Sequence, residues 1–297
     1  MNRQHCWIFA VAASLLVLVC GCNSSPRTRA VSGLHTWPMR GMVLGKSALT
    51  RQVVIKQGAI KDFMPAMNAV YKVNSIQAFR LLQPGDQISG SILADPDGSN
   101  KSLHDISVTA QPAHPMSPAM LPPHELLMGE EVPDIPLTNQ DGKPVDFPQF
   151  HGKAVLITFI DTRCTDDCPI VTGLFQKVNM LLRNNRQFYS GSQLITISID
   201  PANDTPAVLR TYGLKYLDGK PAGFAHWEFA DTTPANLQKL ATAFGVIYHP
   251  TAHDIVHTMA TALIGPDNTV LKVWGGDTWK PADVARAVEN AEPGARI

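Results

Sequence analysis

Residues 154–160, AVLITFI, are apolar except for Thr158 and show no alternation. A strand wetted on one face alternates apolar and polar residues, so a run without alternation predicts a strand covered on both faces. The run passes through TRCTDDCP (162–169) into PIVTGLFQKVNMLLR (169–183), whose apolar residues recur at helical spacing. A second buried strand is predicted at QLITISID (193–200). DTPAVLRTYGLKYL (204–217) starts a helix with Asp204 or Thr205 near the cap and Pro206 in the first turn. TTPANLQKLATAFG (232–245) repeats the device and stops at Gly245. TALIGPDNTVLKVWGG (261–276) reads as a hairpin, and PADVARAVENA (281–291) as a closing helix. Strands alternating with helices, then a hairpin and a helix, predict an α/β sandwich from about residue 130.

The preceding stretch has another rhythm. RQVVIKQ, NAVYKV, DQISGSILAD and HDISVTA, all within residues 38–111, are short, β-branched and split by turn signals such as PGD and DPDGSN. They predict a small all-β barrel. Proline, 23 of 297 residues, clusters in PAHPMSPAMLPPHEL, so residues 112–129 read as a stiff linker between two domains.

The N-terminus reads as a targeting segment. Arg3 precedes the apolar run WIFAVAASLLVLV, and VCGC follows. A charged start, an apolar stretch short for a membrane span and a small residue before the cut describe a secretory leader. Gly21 before Cys22 resembles a bacterial lipobox, which predicts lipidation of Cys22 and a mature chain anchored to a membrane outside the cytoplasm. Cys20 fits worse, because bulky Val19 precedes it. Asn23 is not the aspartate that would mark retention at the inner membrane. On this reading residues 1–22 are the leader ending in the lipidated cysteine, and 23–37 a polar tether. Formal net charge is zero and no basic tract occurs, which gives a nucleic-acid partner no electrostatic support.

Of five cysteines, Cys6 and Cys20 leave with the leader and Cys22 takes the lipid. Cys164 and Cys168 remain, in an oxidising compartment where a pair serves as a structural disulfide, a redox dithiol or a metal site. A disulfide across three residues closes so short a loop that its entropic benefit is at the low end. A dithiol or a metal site is the better expectation. Pro169 belongs in a first helical turn, which places Cys168 near the N-cap and Cys164 in the loop before it. Helix N-termini favour a thiolate, while Asp166 and Asp167 oppose one. Two thiolates make an incomplete zinc site, but soft Cu(I) favours thiolate, and imidazole suits copper. Candidate imidazoles are His249, His253 and His257. Pro250 argues against a helix carrying all three; His249 and His253 read as loop residues. His257 directly precedes a predicted strand, a rigid place for a ligand.

Three ordered motifs carry a resemblance: TRCTDDCP (162–169), SIDPANDT (198–205) and VHTMATALIGPD (256–267). Residues 130–291 resemble the Sco/SenC family of copper-dependent cytochrome oxidase assembly proteins. The resemblance implies a thioredoxin-like fold, with Cys164, Cys168 and His257 as ligands for Cu(I) or Cu(II). It implies a copper metallochaperone whose recipient is a cytochrome c oxidase subunit or another copper-accepting protein. Asp200 and Asp204 read as scaffold and helix cap. Thr165 stands where the family often has proline, and Val256 where it often has an acid; neither change removes a ligand. The rival reading is a thiol–disulfide oxidoreductase or peroxide reductase in which Cys164 and Cys168 are the catalytic pair, although thioredoxin-type catalysis uses two intervening residues rather than three.

The first domain resembles, through VVIKQGAIKDFMPAMNAVYKV (53–73), the five-stranded, OB-like barrel of periplasmic copper-efflux metallochaperones. That family holds Cu(I) with a histidine, two methionines and an aromatic cap. Here Gln57 takes the histidine position, Met67 matches one methionine, Ala69 replaces the other, and Met64 stands where the aromatic would be. The expectation is packing rather than copper at Met64 and Met67. His114, Met116 and Met120 are explained by linker composition. A copper-resistance buffer is the third functional alternative.

Overall fold

In the computed structural model of the chain, the residues described are 34–95, 100–112, 124–251 and 255–291. The leader, Cys22, His114, Met116, Met120 and His253 lie outside them.

The N-terminal part is built on one long strand. β1 (His35–Ser47) pairs antiparallel with β2 (Gln52–Gln57) on one side; on the other it pairs with β4 (Gln87–Ala94). β3 (Met67–Val73) joins β2, and β5 (Ser102–Ala110) joins β4. β3 and β5 meet through the parallel pairs Lys72–Ser102 and Val73–Leu103, so the sheet returns on itself. The inward faces supply a core of Met39, Val43, Val53, Ile55, Tyr71, Ile88 and Ile92. The expected strands are present. β1 starts at His35, so the last residues of the expected tether belong to the sheet. A short helix, α1 (Ile76–Leu81), is capped by Ser75, whose hydroxyl accepts the Ala78 N–H.

The second part is a mixed sheet of seven strands. β6 (Leu137–Asn139) and β7 (Pro144–Val145) form an edge hairpin. β8 (Ala154–Ile160) leads into α2 (Asp167–Arg183) and the short α3 (Arg186–Ser190). β9 (Ser192–Ser198), α4 (Pro206–Tyr216), β10 (Trp227–Asp231) and α5 (Pro234–Ala243) continue the alternation. β11 (Tyr248–Pro250) pairs with β12 (Ile255–His257) as a small ribbon. β13 (Ala260–Ile264), β14 (Val270–Gly275) and α6 (Pro281–Ala291) close the chain. The order is β14-β13-β8-β9-β10-β6-β7. Every residue of β8, β9 and β13 is buried, as the lack of apolar–polar alternation in β8 predicts. One face carries Ile157, Phe159, Leu240 and Phe244, and the other Leu156, Phe175, Leu209 and Trp227. This is the mixed α/β architecture expected.

The helix after the cysteines starts at Asp167 with Asp166 at the N-cap, so Cys168 lies in the first turn, near the N-cap as expected. Within residues 124–129 of the expected linker, Leu126 is packed in the apolar core and its N–H donates to Ala243 O at 2.8 Å, while Leu127 and Met128 are exposed. Strand β10 escaped prediction because HWEFAD mixes polar and apolar residues without a clean period.

Candidate metal centre

Register decides what meets at the cysteines. Parallel β8 and β9 pair Ile160 with Ser198, so the segments after them leave the same sheet edge side by side. Ligand sites in open α/β sheets gather at this carboxyl edge. β13 runs antiparallel to β8, with Thr261 opposite Thr158. Its first residues therefore lie at the edge where β8 ends. His257, three positions before β13 begins, is delivered to the cysteine loop.

There the thiol of Cys168, 1 % exposed, lies 3.5 Å from Nε2 of His257. The other ring nitrogen, Nδ1, is 3.0 Å from Thr258 O. A carbonyl only accepts, so Nδ1 carries the proton and Nε2 presents its lone pair to the sulfur. Burial holds the imidazole below its ordinary pKa, against the opposing pull of the Thr258 carbonyl, and so favours the neutral ring a metal needs.

The two thiols are unlike. Cys164 is half-buried and falls to about 6, chiefly through its hydrogen bond with Cys168 and further through the backbone N–H groups of Cys168, Asp166 and Asp167; burial opposes the fall. Cys168 is pushed up by the same hydrogen bond and by burial. The helix N-terminus thus serves the cysteine before it rather than the one inside it. Cys168 sits between Cys164 and His257. Among the described residues no three histidine, cysteine or acidic side chains are gathered around one metal-sized point. The donor set is soft and complete in kind, two sulfurs and a free imidazole nitrogen, and suits a thiophilic ion.

The loop is clamped from β9. Asp204 accepts from Thr162 N–H (3.2 Å), from the Thr162 hydroxyl, and from Ser198 Oγ (2.6 Å). The guanidinium of Arg163 donates to Asp200 Oδ2 at 2.6 Å, and its backbone N–H to Asp161 Oδ1 at 2.9 Å. Asp161 N–H faces Cys168 Sγ at 3.4 Å. Asp200 is scaffold, as expected. Asp204 is not the helix cap: Thr205 caps α4 by accepting the Val208 N–H, and Asp204 holds the cysteine loop instead. Thr162 and Arg163 lie in the TRCTDDCP motif, but the sequence did not show their clamping role, because Asp204 and Asp200 lie about forty positions away. His249 is in strand β11 rather than a loop, paired with Val256. In the N-terminal sheet Gln57 is buried, accepts from Tyr71 Oη, and lies 3.9 Å from Met64 Sδ.

Comparison with known proteins agrees with the motifs. The SCO1/SenC family model matches residues 128–291. The chain is 29% identical over 157 residues to the SCO1 protein homolog of Bacillus subtilis (strain 168), covering 52% of this chain and 78% of that protein. It is 29% identical over 158 residues to the mitochondrial SCO1 homolog of Mus musculus, covering 51% and 52%. The solved structure of Bradyrhizobium japonicum ScoI with copper bound is 28% identical, with a TM-score of 0.46, over 56% of this chain and 99% of that one. The family match takes in both cysteines, the Asp204 clamp and His257 across more than half of the chain, and the protein therefore belongs to the SCO1/SenC family.

Proposed function

We propose that this chain is a copper metallochaperone, tethered outside the cytoplasm through lipidated Cys22, that delivers copper to a cytochrome c oxidase subunit or another copper-accepting protein. One observation carries the reading: Cys168 stands between Cys164 and the unprotonated Nε2 of His257, a two-thiolate and one-imidazole set at the carboxyl edge of the sheet. Copper-bound relatives support the choice of ion. Thiolate suits Cu(I) and imidazole extends the set toward Cu(II). Cys164, already acidic, offers its thiolate first. Cys168 gives up its proton as the ion arrives, so loading releases a proton and weakens in acid. An ion held by few donors at a sheet edge leaves room for a recipient's ligands.

The five-stranded N-terminal sheet we read as a separate OB-like domain that has lost a copper site of its own. Gln57 stands where a histidine would ligate, and its amide is engaged by Tyr71.

The split acidity of the thiols favours a second reading, thiol–disulfide exchange. The Cys164 thiolate would attack a disulfide of a partner protein and form a mixed disulfide. Cys168, losing its proton, would displace the partner's sulfur as a thiol, leaving Cys164–Cys168 oxidised and the partner reduced.

Copper stoichiometry of the reduced chain separates the readings. About one tightly held Cu(I) is expected, lost in Cys164→Ser and in Cys168→Ser. Retention of copper by either variant would reject the site.

A further inference from the structure

The segment between His257 and β13 is held from an unexpected direction. Thr258 is fixed within its own part of the fold: its N–H donates to Ile247 O and its hydroxyl to Gly245 O, both at 2.9 Å. The next N–H, that of Met259, is buried and donates to Oε1 of Gln52 at 3.0 Å, across 207 positions of sequence. Gln52 is the first residue of β2 in the N-terminal sheet and is 6 % exposed. Its approach is close. A Cβ on Gly275 would come within 2.7 Å of both Cβ and O of Thr50, so only glycine lets the turn before β2 reach β14. Above this contact opens a cleft of about 710 Å³ whose walls include Gln52 and Lys72 on one side and Asp166, His257 and Met259 on the other. Gln52 lies outside the 128–291 segment that matches the family.

We propose that Gln52 is a positioning residue for His257, so that the N-terminal sheet is a working part of the metal centre. The proposal rests on the copper reading above. The Thr258 carbonyl sets the imidazole tautomer, and that carbonyl belongs to the same peptide group as the Met259 N–H that Gln52 holds. Removing the acceptor leaves a buried N–H without a partner, and the peptide rotates or recruits water. The carbonyl on the same plane turns with it, and the ring loses the bond that aims Nε2 at Cys168. Outer hydrogen bonds of this kind tune metal affinity through ligand orientation, typically by 10- to 100-fold.

The test uses the full chain with Gln52→Leu, which fills the space without an acceptor, and Gln52→Glu, which keeps an acceptor oxygen. Cu(II) affinity by chelator competition, the nitrogen hyperfine pattern of the bound Cu(II), and the imidazole nitrogen shifts of the metal-free chain are measured for both and for the unaltered protein. The expected result is an affinity about tenfold lower in Gln52→Leu, a weakened nitrogen coupling, and a metal-free imidazole no longer held as the Nδ1–H tautomer. Gln52→Glu restores all three. Unchanged affinity and spectra in Gln52→Leu overturn the proposal. So does failure of Gln52→Glu to recover them, which would make Gln52 a packing residue only. If the unaltered chain holds no copper, the copper reading fails, and the metal-free imidazole spectrum alone decides the role of Gln52. Should Gln52→Leu not fold, wild-type spectra and affinity in Gln52→Asn, whose amide is one carbon short of Met259, overturn the proposal, and a loss there supports it.

Discussion

The thiol of Cys168 and Nε2 of His257 stand 3.5 Å apart although 89 positions separate them in the chain. The contact joins a helix first turn to the end of a strand ribbon. It exists because β13 returns antiparallel along β8. It makes the imidazole the discriminating residue between metal delivery and thiol exchange. Exchange needs a thiolate, a partner sulfur and access; hosting Cu(II) needs a further donor. His257→Ala is therefore expected to leave the Cys164–Cys168 disulfide able to form and be reduced, while strongly weakening Cu(II) binding and removing the thiolate-to-copper absorption. In cells it should impair oxidase copper loading nearly as much as Cys164→Ser. Normal oxidase assembly in the His257→Ala strain, with failure in Cys164→Ser, would transfer the function to thiol exchange.

Alkylation of the reduced, metal-free chain should resolve the two thiols. Cys164 is expected to react with a midpoint near pH 6, set by its hydrogen bond with Cys168, while buried Cys168 stays unreactive at neutral pH. The stability consequence has a definite sign. Cys164 is depressed on folding, so its contribution is complete above the ordinary thiol pKa of 9 and is lost as pH falls through about 6. Cys168 is raised, so it opposes unfolding less as pH climbs above 9. Mass spectrometry after pulsed alkylation reads the first effect. A single midpoint near 9 for both cysteines would contradict it.

The clamp on the cysteine loop can be tested at Asp204. Asp204→Ala removes the acceptor of Thr162 N–H, of the Thr162 hydroxyl and of Ser198 Oγ. A loss of about 3 kcal/mol is expected from orphaned buried donors. The urea midpoint should fall accordingly, and Cys164 should alkylate with a midpoint shifted toward that of an ordinary thiol. Thr205→Ala should behave differently, costing about 1 kcal/mol as a lost helix cap without altering Cys164.

His226 supplies a pH prediction away from the metal centre. Its ring stacks on Tyr189 at 3.7 Å and bridges Ser192 Oγ (3.1 Å) and Asn179 Oδ1 (3.0 Å). Burial pulls it down to about 3, helped by Lys153 and Arg183. Below its ordinary value of 6.5 the unfolded chain takes up a proton that the folded chain refuses. Stability should therefore decline as pH falls from 6.5 toward about 3, by on the order of 3 kcal/mol from this group. His226→Gln should flatten that part of the profile in urea unfolding. An unchanged slope would show that the buried ring does not govern it.

The N-terminal sheet should hold no tight copper. In a Cys164→Ser, Cys168→Ser chain, equilibrium dialysis against Cu(I) is expected to find no tight binding, because Gln57 is buried and engaged by Tyr71 and Ala69 offers no sulfur. Adding Gln57→His with Ala69→Met should raise Cu(I) affinity. Tight binding before those two changes would show that Met64 and Met67 still make a site.

What the sequence determined by itself is the local part of this design. Predominantly apolar runs marked β8 and β9 as strands buried on both faces, because a strand with two dry faces has no use for alternation. Pro206 and Pro234 placed the starts of α4 and α5 correctly, since a residue without an N–H fits the first turn. The cysteine spacing and Pro169 put the pair where a strand hands over to a helix. Each of these signals acts within a few residues, which is the range over which spacing and propensity operate. Tertiary structure alone decided the rest. The β8–β9 register assigned Asp204 to Thr162 instead of to the cap of α4. His257 was already set apart in the sequence by the strand after it and by its motif, but the antiparallel return of β13 is what carries it to Cys168. The approach of Thr50 to Gly275 brought Gln52 to Met259. Such contacts come from how whole sheets pair and pack, and no local pattern around residues 52 or 204 encodes the partner that lies tens to hundreds of positions away.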